Sequence, residues 1–167
     1  MKSQHIYYDS GFCSGLWYLH ENNVVHGDIK PGNILLNEDV TAVKLCDFGI
    51  SRIKTRIQQT TTSSYIRGTV IYMAPETCLK NIKPNFQTDV WCAGATMLEI
   101  LLQKELWQVP QDADLLEFLT EKMTQQQQPA ALTALKEKDK TLFRKVQRAL
   151  EYDAAKRATA KELYEMF

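Results

Sequence analysis

The chain has 167 residues, 44% of them hydrophobic, which is long enough for one domain with its own core. Twenty basic residues balance twenty acidic ones, so no overall charge draws the chain onto nucleic acid or an anionic membrane, although opposite charges can still segregate into local patches. The four cysteines (Cys13, Cys46, Cys78 and Cys92) have neither zinc-knuckle nor redox-motif spacing and read as free thiols in a reducing compartment.

No apolar h-region follows the opening Met-Lys-Ser-Gln-His, so no signal peptide is expected. Phe12, Leu16 and Leu19 fall on one helical stripe, with Cys13, Trp17 and His20 beside it, and predict a helix over 4–21 that Gly11 and Gly15 weaken. Short apolar runs follow at Val24-Val25, Ile34-Leu35-Leu36 and Val43-Lys44-Leu45-Cys46. Asn37, Glu38 and Asp39 separate the last two, which predicts a small hairpin.

Residues 51–68 are polar, rich in Thr and Ser, and show no helical stripe, so they read as a long exposed loop. Residues 88–102 are apolar almost all round and predict a core helix that Thr88 can cap. The stretch from Ala93 to Leu102 is far too short to span a bilayer and contains Glu99. Asp114 to Met123 predicts another helix. Gln125 to Gln128 and Pro129 read as a surface connection, and 132–150 and 159–167 as further amphipathic helices. The pattern is a soluble, intracellular, cytoplasmic domain, mainly α with a small β-hairpin region.

Three strings carry chemistry. They are His26-Gly27-Asp28-Ile29-Lys30-Pro31-Gly32-Asn33, then Asp47-Phe48-Gly49 after the hairpin, then Gly68-Thr69-Val70-Ile71-Tyr72-Met73-Ala74-Pro75-Glu76. Each alone is weak, and a bare Asp-Phe-Gly arises often by chance. In this order and spacing they resemble the catalytic loop, the metal-binding turn and the end of the activation segment of eukaryotic-type protein kinases. The resemblance covers almost the whole chain and implies a kinase-like C-terminal lobe over 1–167.

The resemblance implies ATP and Mg2+ as cofactors and a protein substrate. Phosphoryl transfer needs positioning and positive charge around the transferring group, and magnesium takes hard oxygen ligands. Asp47 and the amide oxygen of Asn33 are then the metal ligands, Asp28 accepts the proton of the substrate hydroxyl, and Lys30 reaches the transferring phosphate. Leu35 matches the apolar floor under adenine, and Cys46 lines the nucleotide pocket as an inert thiol. Lys30, with Thr69 bonding toward Asp28 and Lys30, matches the serine/threonine type, so Ser or Thr hydroxyls are the expected acceptors. Isolated, Asp28, Lys30, Asn33 and Asp47 would each read as a solvated surface group. Asp89-Val90-Trp91-Cys92-Ala93-Gly94 resembles the family's central helix, in which Asp89 holds the catalytic-loop backbone. Arg157 stands where the family pairs an arginine with Glu76, and His26 and Phe48 match spine residues.

The sequence departs from the family in two places. About two dozen residues precede His26, too few for the glycine-rich loop and strand lysine of an N-terminal lobe, so that lobe is expected to be absent from this chain. Such a chain alone should bind nucleotide weakly. Gly27 stands where most members have arginine, and Arg52 matches a second basic position. Thr60 to Ser64 read either as phosphorylation targets or as a polar loop. His5 and His20 show no partner in the sequence, and Trp17 and Trp107 read as packing residues. The rival reading is a kinase-like scaffold that keeps surfaces for substrates or regulatory proteins without turnover. A third is that Met1 is not the parent's true start.

Overall fold

The computed structural model describes residues 2–39, 42–47 and 70–167. In chain order they form α1 (Lys2–Glu21), a 3-10 turn (Pro31–Asn33), β1 (Ile34–Leu36), β2 (Val43–Leu45), α2 (Pro75–Lys80), α3 (Phe86–Leu102), α4 (Leu115–Thr124), α5 (Ala130–Lys138), α6 (Lys140–Ala149) and α7 (Ala160–Met166). The architecture is the mainly helical lobe with one two-stranded antiparallel hairpin that the sequence predicts. Its register pairs Ile34 with Leu45, Leu35 with Lys44 and Leu36 with Val43. Val24 and Val25 form no strand. The loop over 51–68, with Arg52 and Thr60 to Ser64, lies outside the described residues, as do Phe48, Gly49 and Thr69.

Helix α3 is the centre. One side of it (Trp91, Ala95 and Leu98) joins Tyr72, Leu119, Leu132 and Leu150 in one core cluster. The other side (Val90, Ala93 and Met97) joins Phe12, Leu16, Ile29 and Leu163 in a second. Full burial of each large side chain contributes about 1.5–3 kcal/mol, which explains why a helix apolar all round belongs here. Packing against α6 is at the steric limit: a Cβ added at Gly94 would lie 2.6 Å from the Ala149 Cβ. Gly11 has the same logic on α1. A Cβ there would stand 3.2 Å from Val43 Cγ2, so the glycine that weakens the helix lets it lie on the hairpin.

Local chemistry corrects three boundaries. α3 starts two residues earlier than predicted because Asn85, not Thr88, is its cap. The Asn85 side chain accepts from the Thr88 amide, and the Thr88 hydroxyl accepts from the Asn85 amide at 2.8 Å. The single stretch 132–150 is two helices divided at Asp139, which ends α5 and whose Oδ1 accepts from the amides of Thr141 and Leu142 to begin α6. Helix α2 went unpredicted; it is six residues long and starts at Pro75. The glutamine run is exposed but tied down, since Gln128 Nε2 donates to Leu150 O and the Tyr152 hydroxyl donates to Gln127 O.

Arg157 ties the lobe together. Its Nη1 and Nη2 donate to the two carboxylate oxygens of Glu76 at 2.7 and 2.9 Å, Nη1 also reaches Gln87 O, and Nε reaches Glu151 O. The guanidinium lies 5.1 Å from the Trp91 ring centroid, and its side chain is fully buried. Arg157→Ala should therefore strand a nearly buried carboxylate and destabilise the fold by about 3–5 kcal/mol. Arg148→Ala, at a half-exposed pair, should cost less than about 1 kcal/mol. Urea denaturation reads both, and equal effects would refute the contrast.

A pH-dependent contribution sits at α7. The Thr159 amide and hydroxyl, as a capping box, hold the Glu162 carboxyl below its ordinary value near 4.5. A depressed folded pKa stabilises above the unfolded value, and the contribution fades as pH falls through the folded one. In the unsubstituted chain, amide protection at the start of α7 should fall as the pH drops below the ordinary carboxyl value of 4.5 and through the lowered one. Glu162→Gln should flatten that dependence, and an unchanged profile would count against it.

Candidate active site

The site is assembled from Asp89 outward. Its carboxylate, on the first turn of α3, is buried and accepts from the His26 amide at 2.8 Å, the Gly27 amide at 2.8 Å and His20 Nε2 at 3.1 Å. Two consecutive backbone donors on one carboxylate fix the direction of the chain that follows. Gly27 takes φ +79°, a conformation that a side chain disfavours, and Pro84 stands 3.4 Å from where its Cβ would be.

The clamped loop then delivers Asp28, 3% exposed. Asp28 Oδ2 accepts from Lys30 Nζ at 2.7 Å and from Asn33 Nδ2 at 2.9 Å, and Asn33 Nδ2 also bonds the Asp28 carbonyl at 2.7 Å. The 3-10 turn, with Pro31 at its start, brings Asn33 back over Asp28. Asp28, Lys30 and Asn33 are thus brought together, and Asp28 Oδ1 has no partner among the described residues.

His26 joins this loop to the next. The Asp28 amide donates to His26 Nδ1 at 3.3 Å, so that nitrogen carries no proton, and Nε2–H donates to Cys46 O at 3.1 Å. The Cys46 amide in turn donates to Asn33 O at 3.0 Å. Both bonds pin the residue before Asp47, whose backbone takes φ +63°, a strained region that Asp tolerates. The Asp47 side chain is exposed.

The donor set suits magnesium. Asn33 commits its amide nitrogen to Asp28, leaving the oxygen for a hard cation, and Asp47 adds an exposed carboxylate. No cluster of three or more His, Cys, Asp or Glu occurs among the described residues. Two protein oxygens match an ion that keeps several waters and takes phosphate oxygens.

Leu35 projects from the hairpin with 55% exposure, opposite the half-buried Ile34 and Leu45 that face α1, and Cys46 is half-buried beside Asp47. Thr69 lies outside the described residues. His20, which the sequence leaves without a partner, is the residue sequence reasoning missed. Its position six residues before His26 on a helix end is the only signal, and it becomes informative once Asp89 is placed. Trp107 is buried and donates to Ile71 O at 3.2 Å, and Trp17 stacks on Tyr164. The Tyr72 hydroxyl donates to Glu99 at 2.8 Å; burial first, then this bond, pushes its pKa far above the ordinary range. Burial likewise pushes the Cys92 thiol far up, and Asp89 adds to the shift. No helix among the described residues is long and apolar enough to cross a membrane.

Asp89→Ala should leave three donors without their acceptor. It should destabilise the chain by about 3 kcal/mol and speed hydrogen exchange at the His26 and Gly27 amides. Unchanged exchange at both would show that the carboxylate does not hold the loop.

The family model for the protein kinase domain matches residues 4–166. Over 93 residues the chain is 42% identical to Mitogen-activated protein kinase mpkC of Neosartorya fischeri, an alignment covering 56% of this chain and 23% of that protein. It is 49% identical over 86 residues to the MAP kinase kinase MKK1/SSP32 of Saccharomyces cerevisiae, covering 52% and 16%. It is 46% identical over 94 residues to a probable L-type lectin-domain containing receptor kinase VI.1 of Arabidopsis thaliana, covering 54% and 13%. The chain spans less than a quarter of the length of these curated relatives. With nearly every residue inside the family match, this chain belongs to the protein kinase family.

Proposed function

We propose that residues 1–167 are the C-terminal lobe portion of a cytoplasmic protein serine/threonine kinase domain, which transfers the γ-phosphate of ATP to Ser or Thr hydroxyls of protein substrates. The observation that carries this reading is the Asn33 clamp on Asp28. Both hydrogens of one amide group are directed at residue 28, which orients a carboxylate and turns an amide oxygen outward in the same stroke.

In the reaction, Asp28 orients the acceptor hydroxyl and takes its proton as the new O–P bond forms. The bond between the β–γ bridging oxygen and the γ-phosphorus breaks, and ADP leaves with that oxygen. Lys30, held at Asp28, supplies positive charge to the transferring group. Asn33 and Asp47 hold magnesium, which supplies charge neutralisation on the phosphate oxygens. Leu35 forms the apolar floor beneath the base, and Cys46 lines the nucleotide pocket. By the family resemblance Thr69 would bond toward Asp28 and Lys30, and with Lys30 it supports Ser/Thr over Tyr. Regulatory proteins are further partners under this reading.

Calorimetric titration with ATP, with and without magnesium, tests the site. The chain alone should bind weakly and with a magnesium dependence that Asp47→Ala removes. In the protein carrying both lobes, Asp28→Asn should lower kcat by about 10²–10⁴-fold, and Ser or Thr peptides should be phosphorylated where a Tyr peptide is not. Magnesium-dependent binding that survives Asp47→Ala would overturn the metal assignment. Full kcat in Asp28→Asn would favour a different base, and no turnover in any form would favour an interaction module.

A further inference from the structure

The neutral chain conceals a strongly segregated surface. Residues 136–148 hold six cations and two acids, a local excess of four, where the chain as a whole carries none. They span the end of α5 and most of α6, on the side of those helices turned away from the core. Some of the cations have local roles. Lys136 and Lys145 lie over the rings of Phe143 and Phe167 at 5.6 and 4.8 Å, and Arg148 bonds Lys156 O at 3.2 Å and stands 3.5 Å from Glu162. Lys138, Lys140 and Arg144 are exposed and make no ion pair among the described residues. Of the two acids, Asp139 accepts from two helix amides through Oδ1, and Glu137 forms no ion pair with the cations around it.

Folding does not account for this arrangement. Lys140 opens α6 at the helix end that favours anions, where the N-cap Asp139 is the acid present and its Oδ1 is committed to the Thr141 and Leu142 amides. Lys140, Arg144 and Arg148 follow at four-residue intervals, the spacing at which like charges on a helix repel. That repulsion works against α6. Local conflicts of this kind are expected where a surface serves a partner.

We infer that the Lys138–Lys140–Arg144 face of α5 and α6 docks an acidic peptide segment of a partner protein. Four helical residues advance about 6 Å, close to the roughly 6.6 Å between alternate side chains of an extended peptide, so successive cations can meet successive carboxylates, with Arg144 able to engage one through two parallel bonds. A membrane fits less well, because none of the exposed large apolar side chains falls within 136–148 to insert. A nucleic acid fits less well too, because the chain's zero net charge gives no extended positive field to follow a polyphosphate. The inference does not depend on phosphoryl transfer.

Fluorescence anisotropy of the 167-residue chain with a labelled, capped octaglutamate tests it, alongside a labelled dodecathymidylate and vesicles of phosphatidylserine in phosphatidylcholine. The expected result is saturable octaglutamate binding at about 20 mM salt that weakens at least about 5-fold at 200 mM. K140E/R144E should weaken it at least about 10-fold, as expected for two lost charge-assisted contacts, while K104E, on an exposed lysine outside residues 136–148, should change it less than about 2-fold. Circular dichroism checks folding of the variants, and Lys138→Ala offers a milder second test with a loss of about 2-fold or more. Equal effects of K104E and K140E/R144E would overturn the inference. Tighter binding of the oligonucleotide or the vesicles than of octaglutamate would overturn it as well, as would no binding at low salt.

Discussion

One carboxylate organises this lobe. Asp89 is rooted in the most buried helix of the molecule and spends its charge on two consecutive backbone amides and an imidazole. Charged acceptors in a low-dielectric setting make strong, directional bonds, and a buried carboxylate without them would be costly. The loop that carries Asp28 is therefore held by the same interaction that makes burial of Asp89 tolerable. Helix α3 can supply such an anchor because packing on both sides fixes it, and its capping box sets where the first turn begins.

From that anchor a chain of short contacts runs to the turn that carries Asp47. His26 touches both the Asp28 amide and the Cys46 carbonyl, and the Cys46 amide closes back on Asn33. The bonded residues are thirteen and twenty apart in sequence, yet a single imidazole in one tautomer and one backbone bond keep the two segments in register. Arg157 performs a comparable task farther from the site, joining α2, the start of α3 and the 151–157 turn through one buried guanidinium.

Much of this was legible in the sequence, and the reasons differ by element. The hairpin, the central helix and the Glu76–Arg157 pair follow from periodicity and motif. The division at Asp139 was missed because the charged stretch from Lys136 to Lys140 carries no periodicity to interrupt, and the break is set by a side-chain oxygen competing for helix amides. The cap at Asn85 was missed because Thr88, also a capping residue, stands directly before the motif that opens at Asp89. Gly11 argued against α1 on propensity alone, and its merit appears only when Val43 is placed beside it. His20 could not be paired from sequence because its partner lies 69 residues away. The cationic face of α5 and α6 was hidden by a balanced total.

The contact between Gly94 and Ala149 carries an evolutionary corollary. With 2.6 Å separating one methyl from the place of another, the two positions form a steric lock across the helix pair. Ala149 is already the smallest residue with a side chain, and Leu150 Cγ and Cδ2 stand 3.2 and 3.3 Å from the same point, so a larger group at 94 needs both glycine at 149 and a shift of Leu150. A substitution at 94 therefore calls for simultaneous change at two neighbours, which makes this crossing one of the most demanding places in the lobe to alter.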